Sequence, residues 1–139
     1  MLVKASIEVV GFRGSRKGLA IVDTGASLTL LDEIVARDIG VRMTGRELSL
    51  TVADGHEVKG LLAIVDKLRV EDEELPGAHV AVISFPERLR DRLSMLNVDN
   101  WVIVGLATLE ILGLTPNVKT GKLEKVGALA LRTKLSHHS

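Results

Sequence analysis

Apolar and polar residues alternate from the beginning of the chain. Val3, Ala5, Ile7 and Val9 share one face of residues 2–10, opposite Lys4, Ser6 and Glu8. That two-residue period predicts a half-buried strand. Residues 11–18, Gly-Phe-Arg-Gly-Ser-Arg-Lys-Gly, break the pattern as a basic turn. Residues 19–22 form a continuous apolar run, the signature of a buried strand, and residues 28–31 are extended again. Asp32 is placed to cap a helix that runs to Ile39 and stops at Gly40.

Further along, Leu48, Leu50 and Val52 alternate with Ser49, Thr51 and Ala53. Asp54-Gly55 then signals a two-residue hairpin turn, with a return arm from Glu57 through Ile64 to Val70. The acidic run 71–74 with Pro76-Gly77 predicts a turn, and residues 78–83 a strand. Leu89, Leu93 and Leu96 recur at helical spacing, with Pro86 near the first turn. Residues 101–104 read as a buried strand, 106–112 as a short helix ended by Gly113, and 118–123 as a hairpin. The expected fold is therefore mainly β, with two or three small helices and no internal repeat.

Composition removes several classes of function. The 139 residues suit one domain. Lys plus Arg and Asp plus Glu both number 18, so no basic surplus marks a nucleic-acid binder. Cysteine is absent, which excludes disulfides, thiolate zinc sites and a cysteine nucleophile. Phe12, Phe85 and Trp101 are the only aromatics, too few for a base-stacking platform. No run approaches the roughly 20 apolar residues of a membrane span. Lys4 and Glu8 interrupt the first strand, so it is not read as a signal peptide. The expected location is cytoplasmic, without a membrane partner.

The chemically informative stretch is Ala20-Ile21-Val22-Asp23-Thr24-Gly25-Ala26-Ser27. An acid at the end of a wholly apolar strand is anomalous. Burying an unpaired carboxylate is costly, so such a group is neutralised, hydrogen-bonded or functional. Thr24 adds a hydroxyl, and Gly25 lets the backbone approach whatever binds there. Taken alone, Asp-Thr-Gly is also an ordinary exit from a strand into a turn.

The wider arrangement resembles the retroviral-type (retropepsin-like) aspartic proteases. Members of that family carry Asp-Thr-Gly-Ala after an apolar strand, then a β-hairpin flap, then an apolar-apolar-Gly motif and a short helix. Here those places are taken by Ile21-Val22-Asp23-Thr24-Gly25-Ala26, by a hairpin with its tip at Asp54-Gly55, and by Val102-Ile103-Val104-Gly105-Leu106. The hairpin at 117–123 is similar to the segment after this helix in cellular and archaeal members. The resemblance implies a closed, mostly antiparallel β-barrel over residues 1–127, with 128–139 as a flexible or interfacial tail.

It also implies a catalytic set of Asp23, Thr24 and Gly25. Substrate contacts are expected from Ala26, Ser27, Ala53, Asp54, Gly55, His56, Val104 and Gly105. No metal and no cofactor are required. One Asp-Thr-Gly supplies one carboxylate, so the resemblance implies a homodimer with Asp23 of each chain at the two-fold axis, acting on a peptide or protein. A dimeric peptide-binding module without catalysis, or a small β-barrel interaction domain with a chance Asp-Thr-Gly, are the competing readings.

Some positions depart from the family. Ala107 stands where Asp or Asn is frequent, so a polar buttress is missing or supplied elsewhere. Residues 86–96 form a helix absent from the smallest members. Other features carry bland readings. Residues 11–18 lack the Lys-Ser/Thr ending of a phosphate loop. Arg88, Arg90 and Arg92 alternate with acids as a solvated helix face. Residues 71–74 lack the ligand alternation of a calcium loop. His56 reads as a solvated hairpin residue, His79 as a satisfied core histidine, Trp101 as core or interface, and His137-His138 as tail.

Overall fold

In the computed structural model, the described residues are 2–51 and 55–126. The expected tip residues Ala53 and Asp54, and the tail 128–139, lie outside them. Strand β1 (Lys4–Val10) keeps the alternation of its sequence: Ala5, Ile7 and Val9 are buried and their neighbours half-exposed. Strand β2 (Ser15–Val22) pairs antiparallel with β1. The expected turn at 11–18 is therefore shorter. Arg16, Lys17 and Gly18 belong to the strand, and the turn is closed by Gly11 N–H donating to the Gly14 carbonyl at 2.8 Å.

Strand β3 (Thr29–Asp32) is wholly buried and runs into helix α1 (Glu33–Ile39). Asp32 caps the helix as expected, its Oδ2 accepting the Ile34 N–H at 3.3 Å. Gly40 ends the helix with φ +76. Its Cα lies so close to Phe12 that a Cβ there would stand 2.9 Å from the ring.

Strands β4 (Arg42–Thr51) and β5 (Glu57–Ile64) form a long hairpin with an irregularity between Met43 and Glu47. Thr51 faces Glu57. The expected two-residue turn at Asp54-Gly55 falls partly outside the described residues. The return arm also does not run on to Val70. The chain turns at Asp66, whose N–H donates to the Val10 carbonyl, and strand β6 (Lys67–Val70) pairs with β1 instead. Within the acidic run, Glu73 and Glu74 open strand β7 (Glu73–Pro76). Lys67 holds Glu74 at 2.8 Å and Lys125 holds Glu73.

Strand β8 (His79–Ile83) is buried except at His79, which is exposed at its first position rather than in the core. Helix α2 (Glu87–Met95), strand β9 (Val102–Val104) and helix α3 (Leu106–Leu112) follow. Strands β10 (Leu114–Asn117) and β11 (Lys122–Lys125) make a separate hairpin.

The main sheet has nine strands in the order β4-β5-β8-β3-β9-β2-β1-β6-β7. Among the described residues, only β2–β9 and β3–β8 pair in parallel. The sheet curls as a half-barrel, and no ladder joins its edge strands β4 and β7 among the described residues. The expected closure is thus not shown. One core cluster joins β1, β2, β6, β8, β9, α1 and α3. A second gathers Leu30, Ile83, Phe85, Leu93 and Ile103, with Leu48 and Leu50 of β4 packed on it.

Arg90 corrects the expectation of a solvated α2 face. Its Nη2 donates to Asp32 Oδ1 at 2.9 Å and its Nε to the Phe85 carbonyl at 3.1 Å. Asp32 is 1% exposed and also accepts the Phe85 N–H at 3.0 Å. The carboxylate is thereby satisfied by two backbone donors and a guanidinium, the condition for burying it. No helix among the described residues is long and apolar enough to cross a membrane.

Candidate active site

The site begins where β9 passes between β2 and β3. Ile21 and Val22 pair in parallel with Ile103 and Val104, while Leu30 and Leu31 pair antiparallel with Ile103 and Val102. A central strand bonded on both sides fixes both ends of the loop at residues 23–28. Asp23 is the first residue beyond β2, and its N–H donates to the Val104 carbonyl at 2.9 Å.

The Asp23 side chain then turns back on the loop. Its Oδ1 accepts the Gly25 N–H at 2.9 Å, and its carbonyl accepts the Ala26 N–H at 3.1 Å. These bonds form the local turn that an Asp favours, with the side chain taking a backbone donor two residues on. Asp23 and Ala26 are half-buried; Thr24, Gly25 and Ser27 are exposed.

The far side of the loop is tied to α3. The Leu106 N–H donates to the Ala26 carbonyl at 2.8 Å, and the Ala107 N–H to the Ser27 carbonyl at 2.9 Å. Two donors that a helix start leaves unpaired are satisfied in this way. Gly105 makes the approach possible. A Cβ on it would fall 2.2 Å from the Leu28 carbonyl oxygen, so any side chain would push the loop away.

Beneath the loop lies a polar pair that the sequence reading missed. Thr29 and Thr108 are both buried, their hydroxyl oxygens 2.8 Å apart. Thr29 Oγ1 also accepts the Gly105 N–H at 3.1 Å. Ala107 offers no polar side chain, and this hydroxyl pair supplies the polar contact next to it. The available signal was a lone Thr in the apolar run 28–31 and another three residues after Gly105.

A cleft of about 190 Å³ opens over the loop. Gly25, Ala26, Ser27 and Leu30 form one side, and Ser49, Leu50 and Thr51 of β4 the other. Leu30, Ser49, Leu50 and Thr51 were not among the expected contacts. Conversely, Val104 and Gly105 are buried behind the loop and support it without lining the cleft. Gly55 and His56 do not line it either, and Ala53 and Asp54 are outside the described residues. Among the described residues, no cluster of three or more His, Asp or Glu is arranged to hold a metal ion.

Of the expected catalytic residues only Gly25 lines the cleft; Asp23 reaches it through its bond to the Gly25 N–H, and Thr24 does not line it. The β4 wall carries one apolar and two hydroxyl-bearing residues. The crystal structure of a retropepsin-like aspartic protease from Rickettsia conorii is similar to this chain at 17% sequence identity and a TM-score of 0.48, covering 84% of this chain and 88% of that one. No curated protein matches the chain. A family model described as Aspartyl protease matches residues 7–108, a span that contains the Asp23 loop, β4, β5 and the Thr29–Thr108 support. With most of its length inside that match, the chain belongs to the aspartyl protease family.

Proposed function

We propose that the protein is a homodimeric aspartic endopeptidase with Asp23 as its catalytic carboxylate. The observation that carries this reading is the 2.9 Å bond from the Gly25 N–H to Asp23, with Gly25 itself lining the cleft, within a chain of the aspartyl protease family. The sequence holds one Asp-Thr-Gly, so the second carboxylate comes from a second copy across an isologous two-fold interface.

Two close carboxylates repel each other when both are ionised, so the pair retains one proton. The ionised member takes a proton from a bound water, and the protonated member donates to the substrate carbonyl oxygen. The water oxygen bonds to the carbonyl carbon, giving a tetrahedral intermediate. The member that took the water proton then passes it to the amide nitrogen while the other member takes a proton back from a hydroxyl of the intermediate. The C–N bond breaks to give a carboxylic acid and an amine, and the pair again holds one proton. Thr24 bonds across the two-fold, and the backbone near Gly25 meets the substrate main chain.

The β4–β5 hairpin acts as the flap, its Ser49–Thr51 stretch closing on an extended peptide and excluding water. The substrate is a peptide or protein; neither cofactor nor metal is part of the mechanism.

The test is a digest of an unbiased peptide library across about pH 3–7, with wild type and Asp23→Asn at matched dimer content. Cleavage by wild type alone is expected. Equal cleavage by both would remove Asp23 from the chemistry. Peptide binding without cleavage would make this a peptide-binding module. Activity from a protein that sediments only as a monomer would overturn the shared pair.

A further inference from the structure

A second concavity, of about 310 Å³, lies away from the Asp23 loop. None of its lining residues belongs to the loop or to the cleft above it. Its floor is apolar: Ala36 of α1, Val41, Met43 of β4, Leu61 of β5 and Val82 of β8. Leu61 and Val82 are direct cross-strand partners, which makes that floor continuous. Its volume falls at the lower end of small-molecule sites, about 300–1,000 Å³.

Phe12 forms a wall and is half exposed although its ring is seated against Gly40. Met43 and Leu61 are likewise 48% and 41% exposed. Three large apolar side chains around one groove are a patch that solvent alone does not favour.

The rim is charged. Arg13 and Arg37 both line the groove, with Glu33 one helical turn before Arg37. Arg13 stacks over Phe12, with its guanidinium carbon 5.2 Å from the ring centroid, and donates to the Arg37 carbonyl. Among the described residues, neither guanidinium reaches a carboxylate, although Arg42, Lys67, Arg69, Arg90 and Lys125 all do. The rim thus holds two guanidiniums against one carboxylate, a surplus of one positive charge over an apolar floor.

We infer that this groove binds a small amphiphilic monocarboxylate, its hydrocarbon body on Val41, Met43, Leu61 and Val82 and its head group on Arg13 and Arg37. Guanidiniums suit the head group because their planar N–H pairs match a carboxylate. Met43 and Leu61 lie on the two arms of the β4–β5 hairpin, so the ligand would grip that hairpin at its base, beside the irregularity that follows Met43. The inference makes no use of Asp23 and stands apart from the protease reading.

The experiment is calorimetric titration of the full chain with octanoate, below its micellar concentration, and with octylammonium as a tail of opposite charge. Octanoate should bind saturably with one site per chain, at least tenfold tighter than octylammonium. Arg37→Gln and the Arg13→Gln/Arg37→Gln double variant should lose affinity progressively, the double by tenfold or more. These side chains are exposed, and circular dichroism checks that the variants stay folded. Met43→Asp should weaken binding through the floor. Equal binding of both tails, no saturation, or full affinity in the double variant would overturn the inference. Binding of an acidic-apolar peptide without binding of octanoate would overturn it in favour of a docking surface for a protein.

Discussion

The hydroxyls of Thr29 and Thr108 meet at 2.8 Å in the interior, and Thr29 Oγ1 accepts the Gly105 N–H at 3.1 Å as well. Two pieces of chain that are remote in sequence are thereby joined under the Asp23 loop: β3, and the β9–α3 junction with the first turn of α3. Both residues are buried, so the Thr108 hydroxyl depends on Thr29, and the Thr29 hydroxyl on Thr108 and the Gly105 N–H.

Thr29→Val should therefore cost more than Thr108→Val. The first strands the Gly105 N–H and the Thr108 hydroxyl; the second removes one partner of the Thr29 hydroxyl, which still accepts the Gly105 N–H. Losses of about 1–3 kcal/mol are expected for each stranded buried group, and the double variant should lose less than the sum of the singles. Urea unfolding at unchanged m-value measures this. A Thr29→Val protein as stable as wild type would show that the pair contributes nothing.

Arg90→Met tests the tie between α2 and β3. The substitution keeps much of the side chain's apolar stem but leaves Asp32 buried with only backbone donors. Breaking a buried pair costs about 3–5 kcal/mol, and the partial exposure of Arg90 reduces this to about 2 kcal/mol. The replacement of both partners, Asp32→Asn with Arg90→Met, should recover part of the loss. A change within error of zero for Arg90→Met would make the tie incidental.

Ala26→Ser addresses the proposed reaction. The added hydroxyl stands beside the Asp23 turn and can donate to a carboxylate, and a bond to the charged form favours ionisation. The acid limb of the pH–rate profile should lie at lower pH in Ala26→Ser than in wild type. An unmoved limb, or one moved to higher pH, would remove this role for position 26.

Lys67 and Glu74 give a pH prediction independent of the site. Their hydrogen bond, reinforced by their opposite charges, holds Glu74 below the usual carboxylate range and Lys67 above its usual range. The Glu74 contribution is complete above the ordinary carboxylate value and is lost as pH falls through the lowered one. The Lys67 contribution is complete below the ordinary amine value and is lost as pH rises through the raised one. Both groups face solvent, so added salt should weaken the effect. Carboxylate NMR should place the Glu74 midpoint below that of an ordinary Glu and move it up in Lys67→Met. The same midpoint in both proteins would show the pair to be unformed in solution.

Much of the fold was legible because periodicity and caps are local. The burial of β1 follows its alternation, and the bounds of α1 and α3 follow from Asp32, Gly40, Gly105 and Gly113. Tertiary partners were not legible. Nothing local distinguishes Arg90 from Arg88 or Arg92; only the approach of Asp32 does. The same holds at Asp66, where an apparently continuous arm is broken because its second half finds β1. At the site, Asp23 and its loop stood out as an acid after an apolar run. Thr29 and Thr108 did not, since a buried threonine reads as any β-branched residue until its partner is known. The β4 residues of the cleft were not legible, since which of them stand opposite the loop depends on how the β4–β5 hairpin is placed in the fold and not on local pattern.

The placement of β9 between β2 and β3 has a consequence for synthesis. As the chain emerges, β2 and β3 are made early, but the strand that separates and bonds them follows only after β4–β8 and α2. Until then the Asp23 N–H has no Val104 carbonyl, and the Ala26 and Ser27 carbonyls have no α3 donors. Contacts so far apart in sequence form slowly and late. A ribosome-bound chain therefore carries the acidic loop without the frame that shapes it, and the molecule acquires its cleft only when most of its length is available to fold.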